Sequence, residues 1–485
     1  MTKTRPSSTN MRRLFISVSL LLAIVALEAQ TPATLSPGVK AFITVDTPLF
    51  ALTHVRVIDG TGTPVREDQI IVVSGGKILA LGDASNTSVP SGAKVLEMHD
   101  YTVIPGLIGM HDHIYYPAGP AHYNTLSFSA PRLYLACGVT TIRTAGSLEP
   151  FTEINLKKAI DQGTVPGPKM HVTSPYLEGP GAFTIQMHEL TGPEDARKMV
   201  QYWAGQGIDN VKAYTNITKA ELSAAIEEAH KLGLKISGHL CSIGFREAAA
   251  LGIDGLEHGL LVDAEFAPGK KPDICPPSQE AGEILLKLDI SSTQILETIR
   301  DLVRHKVAVI STLPVFEIFV PGRPPIQQRV LDSMAPDIRI AYLAQRTRIG
   351  ESKDSPMIAL FKKEMEFERE FVKAGGLLLA GLDPTGYGGV VAGFGDQREV
   401  ELLVEAGFSP IEAIKIATYN GAQYLGELDR IGTLAVGKQA DMVLIKGNVA
   451  RDIADIEKVV TVFKNGIGYD SAKLIEAVRG SVGIY

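Results

Sequence analysis

Three cysteines in 485 residues, Cys137, Cys241 and Cys275, are too few and too widely spaced for a disulfide-built scaffold. The odd count allows at most one internal bridge, and no C-x-x-C pair offers zinc a thiolate knuckle. Basic clusters are missing as well. With 47 Lys and Arg against 54 Asp and Glu, the formal charge is −7, a poor match to nucleic acid or to an anionic membrane. Apolar runs are equally scarce. One only, Leu14 to Ala26, follows Arg12 and Arg13 and leads to small residues ending at Ala29. A basic start, a short apolar core and a small-residue end predict a secretory signal peptide over residues 1–29. The run is shorter than the roughly 20 residues that a membrane span needs. Cleavage would remove Lys3, Arg5, Arg12, Arg13 and Glu28, a net +3, and take the charge to −10. The expectation is an exported chain, in the periplasm or the medium, with no membrane contact in its mature form.

What is present reads as a loop-rich globular enzyme, with 45% hydrophobic and 21% charged residues, 47 Gly and 28 Pro. The length suits a barrel with an accessory domain. Short β-rich runs separated by turn residues begin the chain: Val55-Arg-Val-Ile-Asp-Gly, Gln69-Ile-Ile-Val-Val, Lys77-Ile-Leu-Ala-Leu-Gly and Lys94-Val-Leu-Glu-Met. They suggest a small antiparallel sheet. The texture returns in Asp441-Met-Val-Leu-Ile and Val459-Val-Thr-Val-Phe, followed by the hairpin signal Asn465-Gly. Neither piece can bury a core alone. Residues 44–105 and 427–485 are therefore expected to pair into one β-sandwich built from the two ends of the chain.

Between them, over residues 106–426, strand-like and helix-like patterns alternate. Candidate strands end near Met110, Thr144, Thr173, Tyr214, His239, His258, Thr312 and Asp383. Helical patterns include Pro193–Gly205, Thr218–Leu232, where Thr218 and Glu221 make a capping box, and Pro356–Ala374. Eight βα units in series predict an α/β fold, a closed (β/α)8 TIM barrel. Two Pro-, Gly- and charge-rich stretches, Asp263–Ser292 and Phe316–Ser355, follow strands six and seven. On that side of a barrel they are expected to shape the substrate pocket.

The strongest chemical signal is Pro105-Gly-Leu-Ile-Gly-Met-His-Asp-His. His111 and His113 lie two apart on a strand, so both imidazoles point to one side and can share a metal. A lone His-x-His would carry little weight. This one closes the first barrel strand, on the face where barrel enzymes do their chemistry. Later strands each add one group at the same height: Lys212 in Asp209-Asn-Val-Lys-Ala-Tyr, His239 in Lys235-Ile-Ser-Gly-His, His258 in Leu256-Glu-His-Gly and Asp383 in Leu377-Leu-Leu-Ala-Gly-Leu-Asp-Pro. Each alone has an ordinary reading as a hydrogen-bonded strand end. Together they converge on one rim.

With these residues in place, the chain resembles the metal-dependent amidohydrolase superfamily, in the branch of Xaa-Pro dipeptidase-like enzymes, ochratoxin-hydrolysing amidases and imidazolonepropionase-like proteins. The tail carries the resemblance too, in Gly407-Phe-Ser-Pro-Ile-Glu-Ala, Ala417-Thr-Tyr-Asn-Gly-Ala and Ile431-Gly-Thr-Leu-Ala-Val-Gly-Lys-Gln-Ala-Asp-Met-Val, so that roughly residues 48–470 are covered. The resemblance implies two divalent metal ions, one held by His111, His113 and Asp383 and one by His239 and His258. Lys212 would bridge them as N6-carboxylysine, since a buried lysine is readily neutralised and made reactive. Zinc suits such ligands, though manganese, cobalt or iron would also fit. A metal-activated hydroxide would attack the amide carbonyl, and Asp383 would pass the proton to the leaving nitrogen. Imidazolonepropionases proper are expected to lack the lysine bridge, so Lys212 argues against that activity.

For the small-molecule substrate the nominated contacts are Tyr214, on the same side of its strand as Lys212, and His188, in the loop after strand three. Tyr115, Tyr116 and His122 also follow the first strand, while Arg143 reads as a structural salt-bridge partner. His171, His230 and His305 read as structural or exposed, and Cys241 as a small buried filler. The run Asp383-Pro-Thr-Gly-Tyr-Gly-Gly departs from the branch's usual pattern. So does Ala392-Gly-Phe-Gly-Asp-Gln-Arg-Glu, which lacks a histidine often found there. The leading expectation is a secreted amidase acting on a dipeptide or an N-acyl amino acid. The alternatives are a lactone, a cyclic amide or an aromatic, mycotoxin-type N-acyl substrate, and a non-catalytic binding protein. Whether the chain forms a homo-oligomer stays open.

Overall fold

The structure, a computed structural model, describes residues 35–119, 122–184 and 186–484. The expected signal peptide lies outside them. Among the described residues no helix is long and apolar enough to cross a membrane.

Six strands open the fold: β1 (Ile43–Val45), β2 (Leu49–Val57), β3 (Arg66–Ser74), β4 (Lys77–Asp83), β5 (Lys94–Glu97) and β6 (Tyr101–Pro105). After Gly106 the same extended run continues as β7 (Leu107–Asp112), the first strand of the barrel. A hairpin, β8 (Tyr115–Gly119) with β9 (His122–Thr125), separates it from β10 (Val139–Thr144). The third barrel strand comes in two pieces, β11 (Lys169–His171) and β12 (Thr173–Glu178), and the two-residue β13 (His188–Glu189) pairs at the edge of β12. Then follow β14 (Asn210–Ala213), β15 (Lys235–Gly238), β16 (Gly255–Glu257), β17 (Ala308–Ser311) and β18 (Leu378–Ala380). The chain ends on β19 (Met442–Lys446), β20 (Val459–Lys464) and β21 (Ile467–Asp470).

The barrel strands pair in parallel from β7 through β10, β11–β12, β14, β15, β16 and β17 to β18. Closure comes from the backbone N–H groups of Leu382 and Asp383, which donate to His111 O at 3.3 and 3.0 Å. Gly381 permits that approach, since a Cβ there would lie 2.5 Å from His111 Cβ. The barrel strands are buried along nearly their whole length, as parallel strands under helices must be. Their interior is filled in layers. Ile108, Met110, Ile310 and Leu379 form an apolar floor, and above it lies a polar layer of Arg143, Ser237, Glu257 and Lys212.

The first six and last three strands form one nine-stranded sheet, ordered β1-β21-β20-β19-β6-β2-β3-β4 with β5 on β2. It folds over its own core, where Phe50 of β2 stacks on Phe463 of β20 at 5.1 Å among Leu52, Val73, Met442 and Leu444. Asn465 and Gly466, both at positive φ, turn the β20–β21 hairpin. The sheet is not wholly antiparallel as expected, because β2 runs parallel to β5 and β6.

Two other expectations change. The third barrel strand does not end near Thr173 but continues to Glu178. Val172 breaks it because its backbone is diverted: its N–H donates to the Asp209 carboxylate at 3.0 Å and its carbonyl accepts from Asp209 N at 2.7 Å. Pro175, a residue uncommon inside a sheet, obscured the continuation. The stretches after strands six and seven are also more than loops, since they hold the helices Ser278–Lys287, Gln328–Ser333 and Pro336–Gly350. Thr218 does cap the helix Lys219–Lys231, with Glu221 closing the capping box.

Candidate metal centre

At the carboxyl ends of the barrel strands, His111, His113, Lys212, His239, His258 and Asp383 line one pocket of about 400 Å³. Tyr115, Tyr123, Tyr176, Phe183, Tyr214 and Thr385 complete its upper wall. His111 and His113 sit on and just past β7, and Lys212 on β14. The remaining three follow their strands. His258 and Asp383 both occupy the left-handed region, with φ of 70° and 50°. Such a conformation costs a non-glycine residue roughly 1–3 kcal/mol and persists where the surroundings over-determine it. Here it swings each side chain off its strand end and into the pocket.

The imidazoles are tied from behind. His111 Nδ1 meets Glu257 Oε2 at 2.8 Å, His113 Nδ1 meets the Gly146 carbonyl at 3.2 Å, and His258 Nδ1 meets Thr312 Oγ1 at 2.8 Å. Each Nε2 is thereby left facing inward. Asp383 stands at their centre, with Oδ1 3.6 Å from His113 Nε2 and Oδ2 3.7 and 3.9 Å from the Nε2 atoms of His111 and His258. Those separations are too long for hydrogen bonds and suit donors arranged about a common ion. Ligand atoms of His111, His258 and Asp383 all lie within 4.8 Å of one another, and the buried Asp383 Oδ1 has no hydrogen-bond partner. The His239 ring packs 4.4 Å from His258 and 5.1 Å from Tyr214.

Electrostatics fits the same reading. Burial lowers the pKa of all four histidines, His239 to about 3, so they stand neutral with lone pairs free to ligate. Burial raises Asp383 and outweighs the lowering influence of His111, Thr385 and Lys212. Lys212 is almost wholly buried, and desolvation brings its ammonium down to about 8. The donor set of imidazoles, a carboxylate and a reactive amine therefore fits divalent metal ions. Histidines with Nδ1 fixed by a carboxylate, a carbonyl and a hydroxyl are a familiar outer-sphere arrangement.

Glu257 is the residue that sequence reasoning passed over. Burial alone would raise its carboxyl, but Arg143, Lys212 and His111 together hold it well below the usual carboxylate range. It accepts from Arg143 Nη2 at 2.9 Å and Ser237 Oγ at 2.6 Å, and lies 3.2 Å from Lys212 Nζ. Its signal was a carboxylate on the inward side of β16, one position before His258 and overshadowed by it.

Tyr214 is in the pocket, against Tyr176 at 4.6 Å. His188 is not. On the short edge strand β13 it points to solvent and bonds Asp195 at 2.9 Å, near the start of the helix Pro193–Gln206. The residue before that strand, Met187, is the one buried, against Tyr115 and Tyr176. Tyr115 stacks on His113 at 4.4 Å and shares a hydrogen bond with Tyr176. Tyr116 is buried elsewhere, bonding Gly389 N at 2.7 Å, and His122 is exposed beside Asn124. Arg143 holds Glu257 and the Met110 carbonyl beneath the pocket. His171 contacts Glu427 and His230 pairs with Asp254, both away from the centre. Cys241 is no filler. It forms a disulfide with Cys275, because the excursion after β16 returns over the end of β15.

Comparison with known proteins agrees with this geometry. The profile of the amidohydrolase family matches residues 102–467. An imidazolonepropionase of Herpetosiphon aurantiacus is 22% identical over 426 residues, covering 80% of this chain and 89% of that one. A Xaa-Pro dipeptidase with methionine bound in its active site superposes with a TM-score of 0.65, at 20% identity over 87% of this chain and 100% of that one. For A. niger ochratoxinase the TM-score is 0.60, at 18% identity over 87% and 96%.

Proposed function

Because the chain belongs to the amidohydrolase family and is thus a hydrolase of carbon–nitrogen bonds, we propose that it is an exported metal-dependent amidase cleaving a dipeptide or an N-acyl amino acid. The observation that carries this reading is the convergence of three imidazoles, each tied at Nδ1, on Asp383. His111, His113 and Asp383 would hold one divalent ion and His239 and His258 a second, zinc being the ion these ligands suit. Lys212 would link the two as N6-carboxylysine. With its ammonium lowered to about 8, a neutral fraction near pH 7 adds carbon dioxide and releases a proton. Glu257, which now pairs with the ammonium, keeps Arg143 and His111 as partners afterwards.

Ions so held supply a Lewis acid for the scissile carbonyl and acidify the attacking water. The protein's own part is orientation and proton movement. Asp383 accepts the water's proton as the C–O bond forms, then delivers it to the leaving nitrogen as the C–N bond breaks. Tyr214, on the pocket wall, would meet the substrate's oxygens.

The test is a hydrolysis screen on protein loaded with zinc and bicarbonate, read by mass spectrometry, with dipeptides, N-acyl amino acids and lactones as substrates. A His111→Ala, His113→Ala double variant is the control. Cleavage of amides by the wild type alone is the expected result. Turnover of lactones only, or equal turnover by the double variant, would refute the amidase reading, and metal binding without any turnover would favour a binding protein. One observation favours a second substrate class, aromatic N-acyl compounds: an apolar cleft, lined by Phe316, Phe319 and Leu360 among others, shares His239 with the polar pocket.

A further inference from the structure

Beside the polar pocket lies a second, larger space of about 1100 Å³, open to solvent. The two share His239 as a wall. Phe316 is the other link, since it lines the cleft and its ring packs 6.0 Å from that of His258. Leu261, Leu285, Phe319 and Leu360 continue the lining, and among the described lining residues none carries a formal charge. Phe319, 36% exposed, is an aromatic ring left open to water at the mouth of the cleft. Apolar side chains gathered around such a volume, next to a few polar catalytic groups, are the usual make-up of a site that selects its ligand by shape and hydrophobicity.

The wall is also fastened. Cys241 follows His239 by two residues, and Cys275 lies 34 residues further on, with Cα atoms 4.9 Å apart. The bridge ties the end of β15 to the excursion after β16, the segment that carries Leu261. Crosslinking holds this wall against the strand end that bears His239 and removes alternative loop conformations.

We infer that the cleft is a subsite for a bulky uncharged group, aromatic or branched aliphatic, attached to the scissile amide. The inference rests on the amidase reading and names its substrate class. Occupancy follows from continuity: an amide with its carbonyl at Asp383 has its substituent directed past His239 and Phe316 into a volume that no other described part of the chain fills. Charged substituents find no counter-ion there and would forfeit their hydration.

The experiment uses the full chain and two amide series, one varying the acyl group from acetyl to phenylbutanoyl and one varying the amine group over the same sizes. Titration calorimetry on metal-free protein reads binding, and kcat/KM on protein loaded with zinc and bicarbonate reads turnover. Binding and kcat/KM are expected to rise in one series by about fourfold per buried methylene, while a terminal carboxylate abolishes the gain. Met357 also lines the cleft, so Met357→Trp narrows it, and Phe319→Glu charges its mouth. Each is expected to flatten the size dependence and leave the acetyl substrate within about twofold, as for changes at partly exposed positions. Cys275→Ser is expected to weaken the dependence by loosening the wall. A flat response in both series, or a slope unaffected by Met357→Trp and Phe319→Glu, overturns the subsite. Size-dependent binding with no hydrolysis of any amide keeps the cleft and overturns the amidase reading.

Discussion

The polar pocket and the apolar cleft share a histidine and are built on different principles. The pocket draws its groups from the ends of barrel strands, and partners behind them fix each: Glu257 and Gly146 for the first two histidines, Thr312 for His258. The cleft draws its lining from excursions after strands six and seven and is held by apolar packing and one disulfide. On the proposed function, reactivity is thus anchored in the scaffold, where half-ångström errors matter, and selection is left to inserted segments that can change without disturbing it.

Four further changes test that contrast. The largest effect is expected from Asp383→Asn, which should lower kcat by about 10²–10⁴-fold while metal content, measured by mass spectrometry, stays near that of the wild type. An Asn variant within tenfold of the wild type would place proton transfer elsewhere. Next comes Glu257→Gln, which touches no substrate. Releasing His111 and unbalancing Lys212 and Arg143 should weaken metal affinity by about 10–100-fold. Competition against a chelator reads this, and excess metal should restore part of the activity.

Glu427 tests the region that belongs to neither cavity. Burial would raise its carboxyl, yet His171 and Lys169 bring it down to about 2. A folded-state pKa below the unfolded value of about 4.3 means that its stabilisation is complete above that value and is lost as pH falls towards 2. Glu427→Gln should cost about 1–3 kcal/mol at pH 7, and thermal melts of variant and wild type should converge near pH 2. A constant gap at every pH would assign its role to packing. The smallest effect belongs to His188→Ala, expected to leave kcat/KM within about twofold for a residue bonded only at the surface. A larger loss would return His188 to the substrate site.

How far the sequence could be read follows the same division. His111, His113, Lys212, His239, His258 and Asp383 meet because strand endings are local features: an apolar run, then a polar residue at the rim. The left-handed backbone at His258 and Asp383 blurred only where their strands end. The third strand was misjudged because Asp209, distant in sequence, captures the backbone of Val172. His188 was misplaced because on a two-residue strand alternation gives no warning of which side faces inward. The Cys241–Cys275 pair and the cleft depend on the path of a long excursion whose helix Ser278–Lys287 packs against Met357–Lys373, a long-range contact that no local pattern announces. Glu257 was legible by alternation but lay in the shadow of its neighbour.

Only Gly106 separates β6, in the terminal sheet, from β7, in the barrel, and one of the two partners of β6 is β19, more than 300 residues downstream. During synthesis, the first strands must therefore wait with an open edge while the whole barrel is made. Any chain that stops short of β19 presents that edge to other chains. The last 44 residues thus act as a seal of completeness: an interrupted product can hold every residue of the polar pocket and still carry an unpaired strand edge open to aggregation.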